Sequence, residues 1–294
     1  MSTISTSDTT SALTLRPSRT RQPRHVSNFV VSMVLVLLVI LTLYPFVFMA
    51  ITSTKSYAQF LHSYWIPAWP PHIVENYVAA WNQTRGYLLN TIYVGVLTVV
   101  GFLFTTTLAA FVFARFRFPG KEILFGSLMI LMMIPQILQL IPAFMWVRKL
   151  QLLNTYWVLI LPYIAGGQAY AVFILRTFFS SLPQGLFDAA RIDGARDFQT
   201  YYMVALPLSK GILATLAILR VQQVWNDLIW PLITLADDSK RTITVGLYYF
   251  QGETQTQYGA MFAGYLIASV PLFLLFLVGM KQFMAGVTSG AIKA

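Results

Sequence analysis

Apolar residues in this chain fall into six long blocks, at about 29–51, 87–114, 123–141, 156–179, 208–233 and 260–280, with polar stretches between them. Crossing a hydrocarbon layer of about 30 Å takes about 20 residues of helix, and each block is of that order. The fold class expected is therefore an all-α polytopic membrane protein with six transmembrane helices. The first block is too long for the apolar part of a secretion signal and reads as a retained span. The third block contains Pro135, and the fourth contains Pro162, Gly166 and Gly167. Such residues persist in spans where neighbouring groups satisfy the freed carbonyls, so bent helices around a cavity are expected.

The polar island at 181–207 has a pattern of its own. Pro183 suits the first turn of a short helix. Leu186, Phe187 and Ala190 share a face, with Asp188 and Arg191 beside them, and the small Ala189 and Ala190 admit close approach of another backbone. Gly194 stands where a C-terminal cap is expected. A second amphipathic segment follows, with Phe198, Tyr201 and Tyr202 on its apolar side, and Pro207 marks the start of the next span. The island predicts a helix–turn–helix loop with a face for a partner.

Composition supports the membrane reading. Of 294 residues, 57% are hydrophobic and 10% charged, with mean hydropathy +0.65, too little charge for the surface of a soluble domain. The net charge of +10 would suggest nucleic acid in a soluble protein; here the positive-inside rule accounts for it. With the amino terminus inside, Arg16, Arg19, Arg21, Arg24, Arg115, Arg117, Lys121, Arg176, Arg191, Arg196, Lys210, Lys281 and Lys293 are cytoplasmic. Lys55, Arg85, Arg148, Lys149, Lys240 and Arg241 are exterior. Residues 1–27 then form a cytoplasmic tail, 28–294 a transmembrane domain with both termini inside, and the island faces the cytoplasm. The exterior stretch 55–86 is rich in Trp, Tyr and Pro, as suits an interfacial belt. Absence of cysteine excludes a disulfide framework, thiol catalysis and cysteine metal sites.

Little in the chain suits an enzyme. His25, His62 and His72 lie outside the expected spans, and no phosphate-cradling G-x-x-x-x-G-K-[ST] stretch occurs. Asp227 is the one carboxylate within the expected spans. On a continuous helix Arg220, Gln223, Asp227 and Trp230 would share a face, at i, i+3, i+7 and i+10, with Asn226 beside them. A charge at depth is costly unless paired or facing water. The stripe therefore reads either as a substrate pathway or, for Arg220, as an ion pair with Asp227 or with another subunit. Gln136, Gln139, Tyr163 and Gln168 are further pathway candidates or interhelical hydrogen-bonding groups. Trp225 and Trp230 offer either sugar-stacking planes or belt residues.

Asp188-Ala189-Ala190, Asp193-Gly194-Ala195, Phe198 and Leu206-Pro207 resemble the E-A-A…D-G-A…F…L-P loop of binding-protein-dependent ABC importer permeases. Asp188 departs from the usual Glu by one methylene with the charge kept. Further resemblances point to the carbohydrate-uptake subgroup of that family. They are Glu75-Asn76-Tyr77 with Asn90-Thr91, the basic turn Arg115–Lys121, Trp225-Asn226-Asp227…Pro231-Leu232, and the ending Gln282–Lys293. The resemblance implies a type I importer fold in which the island is a coupling helix. Its docking residues would be Leu186, Phe187, Asp188, Ala189, Ala190, Asp193, Gly194, Ala195 and Phe198. The partners implied are a homologous second permease subunit, two ABC ATPase subunits that bind ATP and Mg, and an extracytoplasmic solute-binding protein that delivers a sugar or oligosaccharide. No cofactor or metal is expected in this chain, and it is not itself an enzyme. The alternative is an ion-coupled secondary transporter built around Asp227.

Overall fold

Long apolar runs fold as helices, and proline or paired glycine breaks them. The computed structural model describes residues 24–250 and 257–291, with side chains over 29–250 and 257–281. Arg24–Thr52 is one helix (α1) with Pro45 inside it. Tyr57–His62 (α2) is short, and Ile73–Arg115 (α3) runs unbroken for 43 residues, about 65 Å. That helix begins at Ile73, well before the 87 at which the second span was expected, because no proline interrupts the chain between Pro71 and Pro119. Lys121–Met132 (α4) meets a 3₁₀ turn at Gln136–Gln139 and then Leu140–Lys149 (α5), with a bend of 98°. Trp157–Ala165 (α6) meets Gln168–Ser181 (α7) at 43°.

Gln184–Ile192 (α8) is followed by Asp197–Thr200 (α9), a π turn at Tyr201–Ala205 and Leu206–Leu208 (α10). A bend of 78° separates this segment from Lys210–Asn226 (α11). Pro207 thus lies in the segment before the bend, and α11 starts only at Lys210. Ile229–Thr234 (α12), Ile243–Phe250 (α13) and Tyr258–Ala291 (α14) complete the described chain. By length and composition α1, α3 and α14 each suffice to cross a membrane, and the three bent pairs raise the count to six. Among the described residues there is no strand.

The expected third span is not a continuous helix. Pro135 has no N–H to continue α4 and sits extended, at φ −57° and ψ 132°. Helix α4 has 12 residues, about 18 Å, too short to cross alone. Gln136 and Gln139 consequently occupy the turn between two helices and are exposed.

Packing centres on α3. Its buried positions Ala80, Thr84, Leu88, Thr91, Gly95, Thr98, Phe102 and Thr106 recur every three or four residues and form one stripe. Small residues prevail there because lipid tails give helices no hydrophobic reason to associate, so close backbone approach carries the packing. Thr84, Thr91 and Thr106 donate to the carbonyls of Ala80, Tyr87 and Phe102 one turn back, at 2.7, 2.8 and 2.6 Å. Helices α6, α7, α11, α13 and α14 pack around α3.

Two polar clamps close the end opposite the island. Asn76 donates to the carbonyls of Ser53 and Lys55, both at 2.9 Å. The fully buried Lys55 ammonium donates to the carbonyls of Ser63 and Tyr64 just beyond α2, and burial pushes its pKa below the ordinary lysine value. Asn90 donates to the carbonyls of Ser239 and Arg241 and accepts from Tyr156, while Thr91 accepts from the Ile243 N–H. The Asn76 and Asn90-Thr91 motifs therefore tie loops to α3. Nearby, the Ser239 hydroxyl and N–H hold the Asp237 carboxyl below its ordinary range.

Candidate functional site

The island folds as helix, turn, helix, for local reasons. Pro183 occupies the position before α8, at φ −57° and ψ 130°, rather than its first turn. Helix α8 ends in a double cap: the Ala195 N–H donates to the Ala190 carbonyl at 2.9 Å and the Gly194 N–H to the Arg191 carbonyl at 3.0 Å. This pair of bonds needs a left-handed residue, and Gly194 has φ +84°. Arg191 then pairs with Asp197 across the turn at 3.1 Å.

The two faces of α8 differ. Leu186 is 44% exposed, Ile192 87% and Phe198 62%, an apolar surface at the end of the bundle. Asp188, Ala189, Asp193 and Gly194 are also exposed, and Ala190 and Ala195 are half-buried. Phe187 is the exception among the expected docking residues. It is 3% exposed and packs beside Phe111 in a core that includes Phe179 and Tyr201. It holds the loop to the bundle and offers no docking surface. Tyr201 is buried as well, its hydroxyl paired with that of Thr107 at 2.7 Å.

Arg115, at the end of α3, completes the seating. Its Nη2 donates to the carbonyls of Phe179 and Leu182 at 2.6 and 2.9 Å, and its Nη1 to Gln184 Oε1 at 2.9 Å. The guanidinium lies 3.9 Å from the Phe187 ring centroid. In the sequence Arg115 counts toward topology and toward the basic turn Arg115–Lys121, and not toward a site; its place at the boundary between span and link was the available signal. Ile192 is absent from the expected docking residues, although it is among the most exposed apolar side chains of the island.

The expected span-five stripe does not form. Helix α11 ends at Asn226, and Asp227 is extended at φ −71° and ψ 120°. The Asp227 side chain replaces the helical bond: its Oδ1 accepts from the Trp230 N–H at 3.3 Å and its Oδ2 from the Tyr163 hydroxyl at 2.9 Å. Gln223 and Asn226 are exposed, whereas Arg220 and Trp230 are buried, and Trp230 lies beyond the break. Among the described residues Arg220 forms no ion pair with Asp227. It donates instead to the Gly166 carbonyl at the α6–α7 break and stacks 4.0 Å from the Phe102 ring centroid. Trp225 and Trp230 are both buried, and the Trp230 indole donates to the Val158 carbonyl at 2.9 Å, so neither offers a free ring face. Gln168 bonds Thr105, Thr106 and the Ile164 carbonyl, an interhelical role.

The tail at 1–23 and residues 251–256 lie outside the described residues. So do the side chains of the terminal motif 282–293, although the helical backbone of α14 reaches Ala291. No group of three or more metal-ligating side chains occurs among the described residues.

The profile of the family described as "Binding-protein-dependent transport system inner membrane component" matches residues 101–287, which include α8 and its turn. The chain is 36% identical over 277 residues to a probable ABC transporter permease protein, YurM, of Bacillus subtilis, covering 93% of this chain and 91% of that one. It is 32% identical to the trehalose/maltose transport system permease protein MalG of Thermococcus litoralis, covering 88% and 94%. It is 30% identical to the diacetylchitobiose uptake system permease protein NgcG of Streptomyces coelicolor, covering 88% and 87%. In fold it matches a chain from the crystal structure of a bacterial ABC transporter involved in import of the acidic polysaccharide alginate. That match has a TM-score of 0.81 at 22% identity, covering 91% of this chain and all of the other. The chain belongs to the binding-protein-dependent transport system inner membrane components, and is a multi-pass permease subunit of an ABC transporter.

Proposed function

We propose that this permease forms half of an inner-membrane path for a sugar or oligosaccharide, paired with a homologous second permease. Of the two ATPase subunits, one docks on the exposed face of α8 and its turn, through Leu186, Ala189, Ile192, Gly194 and Phe198, with Asp188 and Asp193 at its edge, and the other on the second permease. An extracytoplasmic binding protein delivers the solute to the opposite end. The observation that carries this reading is the two-faced island: apolar side chains exposed on a loop whose other face is locked into the bundle by Phe187 and Arg115. A monomeric protein has no use for such exposure, whereas a docked partner covers it. The excess of Lys and Arg at that end and in the tail supports a cytoplasmic orientation for the loop and both termini. The named substrates of the relatives support the sugar class.

ATP-driven closure of the ATPases moves the docked loops, and that movement switches the cavity from one side to the other. Gln223 and Asn226, exposed near the end of α11, are the pathway residues this reading retains, together with Asp227 at the break. Gln136 and Gln139 stay candidates at the exposed turn between α4 and α5. Arg220 holds the α6–α7 break rather than facing the solute. The comparisons give no support to the ion-coupled alternative, and both Asp227 oxygens already accept protein hydrogen bonds.

Purification from the native host in mild detergent tests the assembly. The expected result is co-isolation of a second permease and an ATPase bearing a phosphate-binding loop, with the ATPase lost when Ile192→Asp is introduced. A lone chain that moves solute along an ion gradient in liposomes overturns the reading.

A further inference from the structure

We propose that Arg115 is the positioning residue through which movement of the loop reaches the membrane helices. The inference rests on the reading of α8 as the ATPase docking surface, and adds to it the part that bears the load.

The joint between α7 and α8 is weak by itself. Leu182 and Pro183 are both extended, with ψ of 138° and 130°, so no helical hydrogen bond runs across them. A docked α8 attached only by this joint would swivel without displacing α7. Arg115 spans the joint from a third helix. On the α7 side it meets the Leu182 carbonyl and the Phe179 carbonyl, which also accepts from the Leu182 N–H at 3.3 Å, so the last turn of α7 is held by its cap and by the guanidinium together. On the α8 side it meets the Gln184 amide oxygen and the face of Phe187. Gln184 then donates to Asp188 Oδ1 at 2.9 Å, which extends the connection one turn along α8. One planar group thus ties α3, α7 and α8 together, and its fork geometry is what lets it serve carbonyls and amide at once. Lysine at this position would keep the charge and one bond but could not span the joint. The exposed face of α8 takes the push, and this buried face passes it to α3, around which the bundle packs.

The test uses the assembled complex in proteoliposomes and exploits the absence of native cysteine in this chain. Ile192→Cys carries a photocrosslinker that reports docking. Asn226→Cys reports movement at α11 through its labelling by a membrane-impermeant maleimide, with and without ATP–vanadate trapping. In the parent, crosslinking to the ATPase and a trapping-dependent change in labelling are both expected. Arg115→Ala should keep the crosslink and the ATP hydrolysis while the labelling change shrinks about tenfold or more, since all three charge-assisted bonds of the guanidinium are lost together. Arg115→Lys should recover part of the change, and Gln184→Ala should lose less than Arg115→Ala. If Arg115→Ala does not assemble, Gln184→Ala and Phe187→Leu carry the test, and each must reduce the change.

No crosslink in the parent overturns the docking reading and this proposal with it. An intact crosslink with an unaltered labelling change in Arg115→Ala overturns this proposal alone, as does a parent whose labelling never responds to trapping. A fall only in the amount of assembled complex, with the change per complex preserved, assigns Arg115 a structural role and also overturns it.

Discussion

Two arginines on different helices hold the two halves of one broken span. Arg220 from α11 donates to the Gly166 carbonyl at the end of α6, and Arg115 from α3 donates to the Phe179 and Leu182 carbonyls at the end of α7. Each guanidinium is also stacked on a phenylalanine, at 4.0 and 3.9 Å. The chemistry is shared: a cation meets the electron-rich carbonyl end of a helix and an aromatic face shields it. The surroundings differ. Arg220 is 6% exposed and grips an internal kink, whereas Arg115 is half-buried at the rim and grips the base of an exposed loop. The same interaction therefore grips a kink inside the bundle in one place and the base of an exposed loop in the other.

Arg220→Ala should break the comparison most severely. It leaves a buried carbonyl unpaired and a void beside Phe102, and should destabilise the chain by about 3 kcal/mol, read as a lower unfolding midpoint in detergent. Arg115→Ala should lower that midpoint by less and affect coupling instead. Gly167 and Gly194 sharpen the contrast, since both have positive φ, +73° and +84°. A Cβ at Gly167 would meet the Arg220 guanidinium at 2.7 Å, whereas one at Gly194 meets nothing within 4 Å. Gly167→Ala should therefore cost about 2 kcal/mol or more, from conformation and contact together, and Gly194→Ala about 1 kcal/mol from conformation alone. At the same site Gly194→Asn should fold better than Gly194→Val, because asparagine tolerates the left-handed region; paired thermal scans would show the difference. Ile192→Ser should have the smallest effect on stability, within about 0.5 kcal/mol, yet should weaken retention of the ATPase during purification. A thermal loss at Ile192 as large as that at Arg220 would mean that the two faces of α8 do not differ as described.

Much of the fold was legible in the chain. Blocks of about 20 apolar residues read as spans because a helix must satisfy its own backbone in lipid. The island was legible because Pro183, Gly194 and Pro207 punctuate it in a fixed order, and Gly194 does cap α8. The candidate site was legible only in part. Phe187 was grouped with Leu186 since neighbours on a short helix look alike in sequence; which of the two turns inward depends on Phe111, far away in the chain, as well as on the nearby Phe179. The stripe from Arg220 to Trp230 assumed a helix that Asp227 interrupts by bonding the Trp230 N–H.

Local chemistry was enough to establish the membrane class, bends near Pro135 and near Gly166-Gly167, and the two-helix form of the island, though not that Pro135 ends its helix outright. Each depends on groups within one or two turns, such as a missing N–H, a left-handed glycine or a run of apolar side chains. Which face of α8 is held, and that Arg220 meets a kink carbonyl rather than Asp227, was decided by the tertiary structure alone. An arginine side chain reaches several acceptors, and only the packing of α3, α6, α7 and α11 determines which carbonyl lies within its reach.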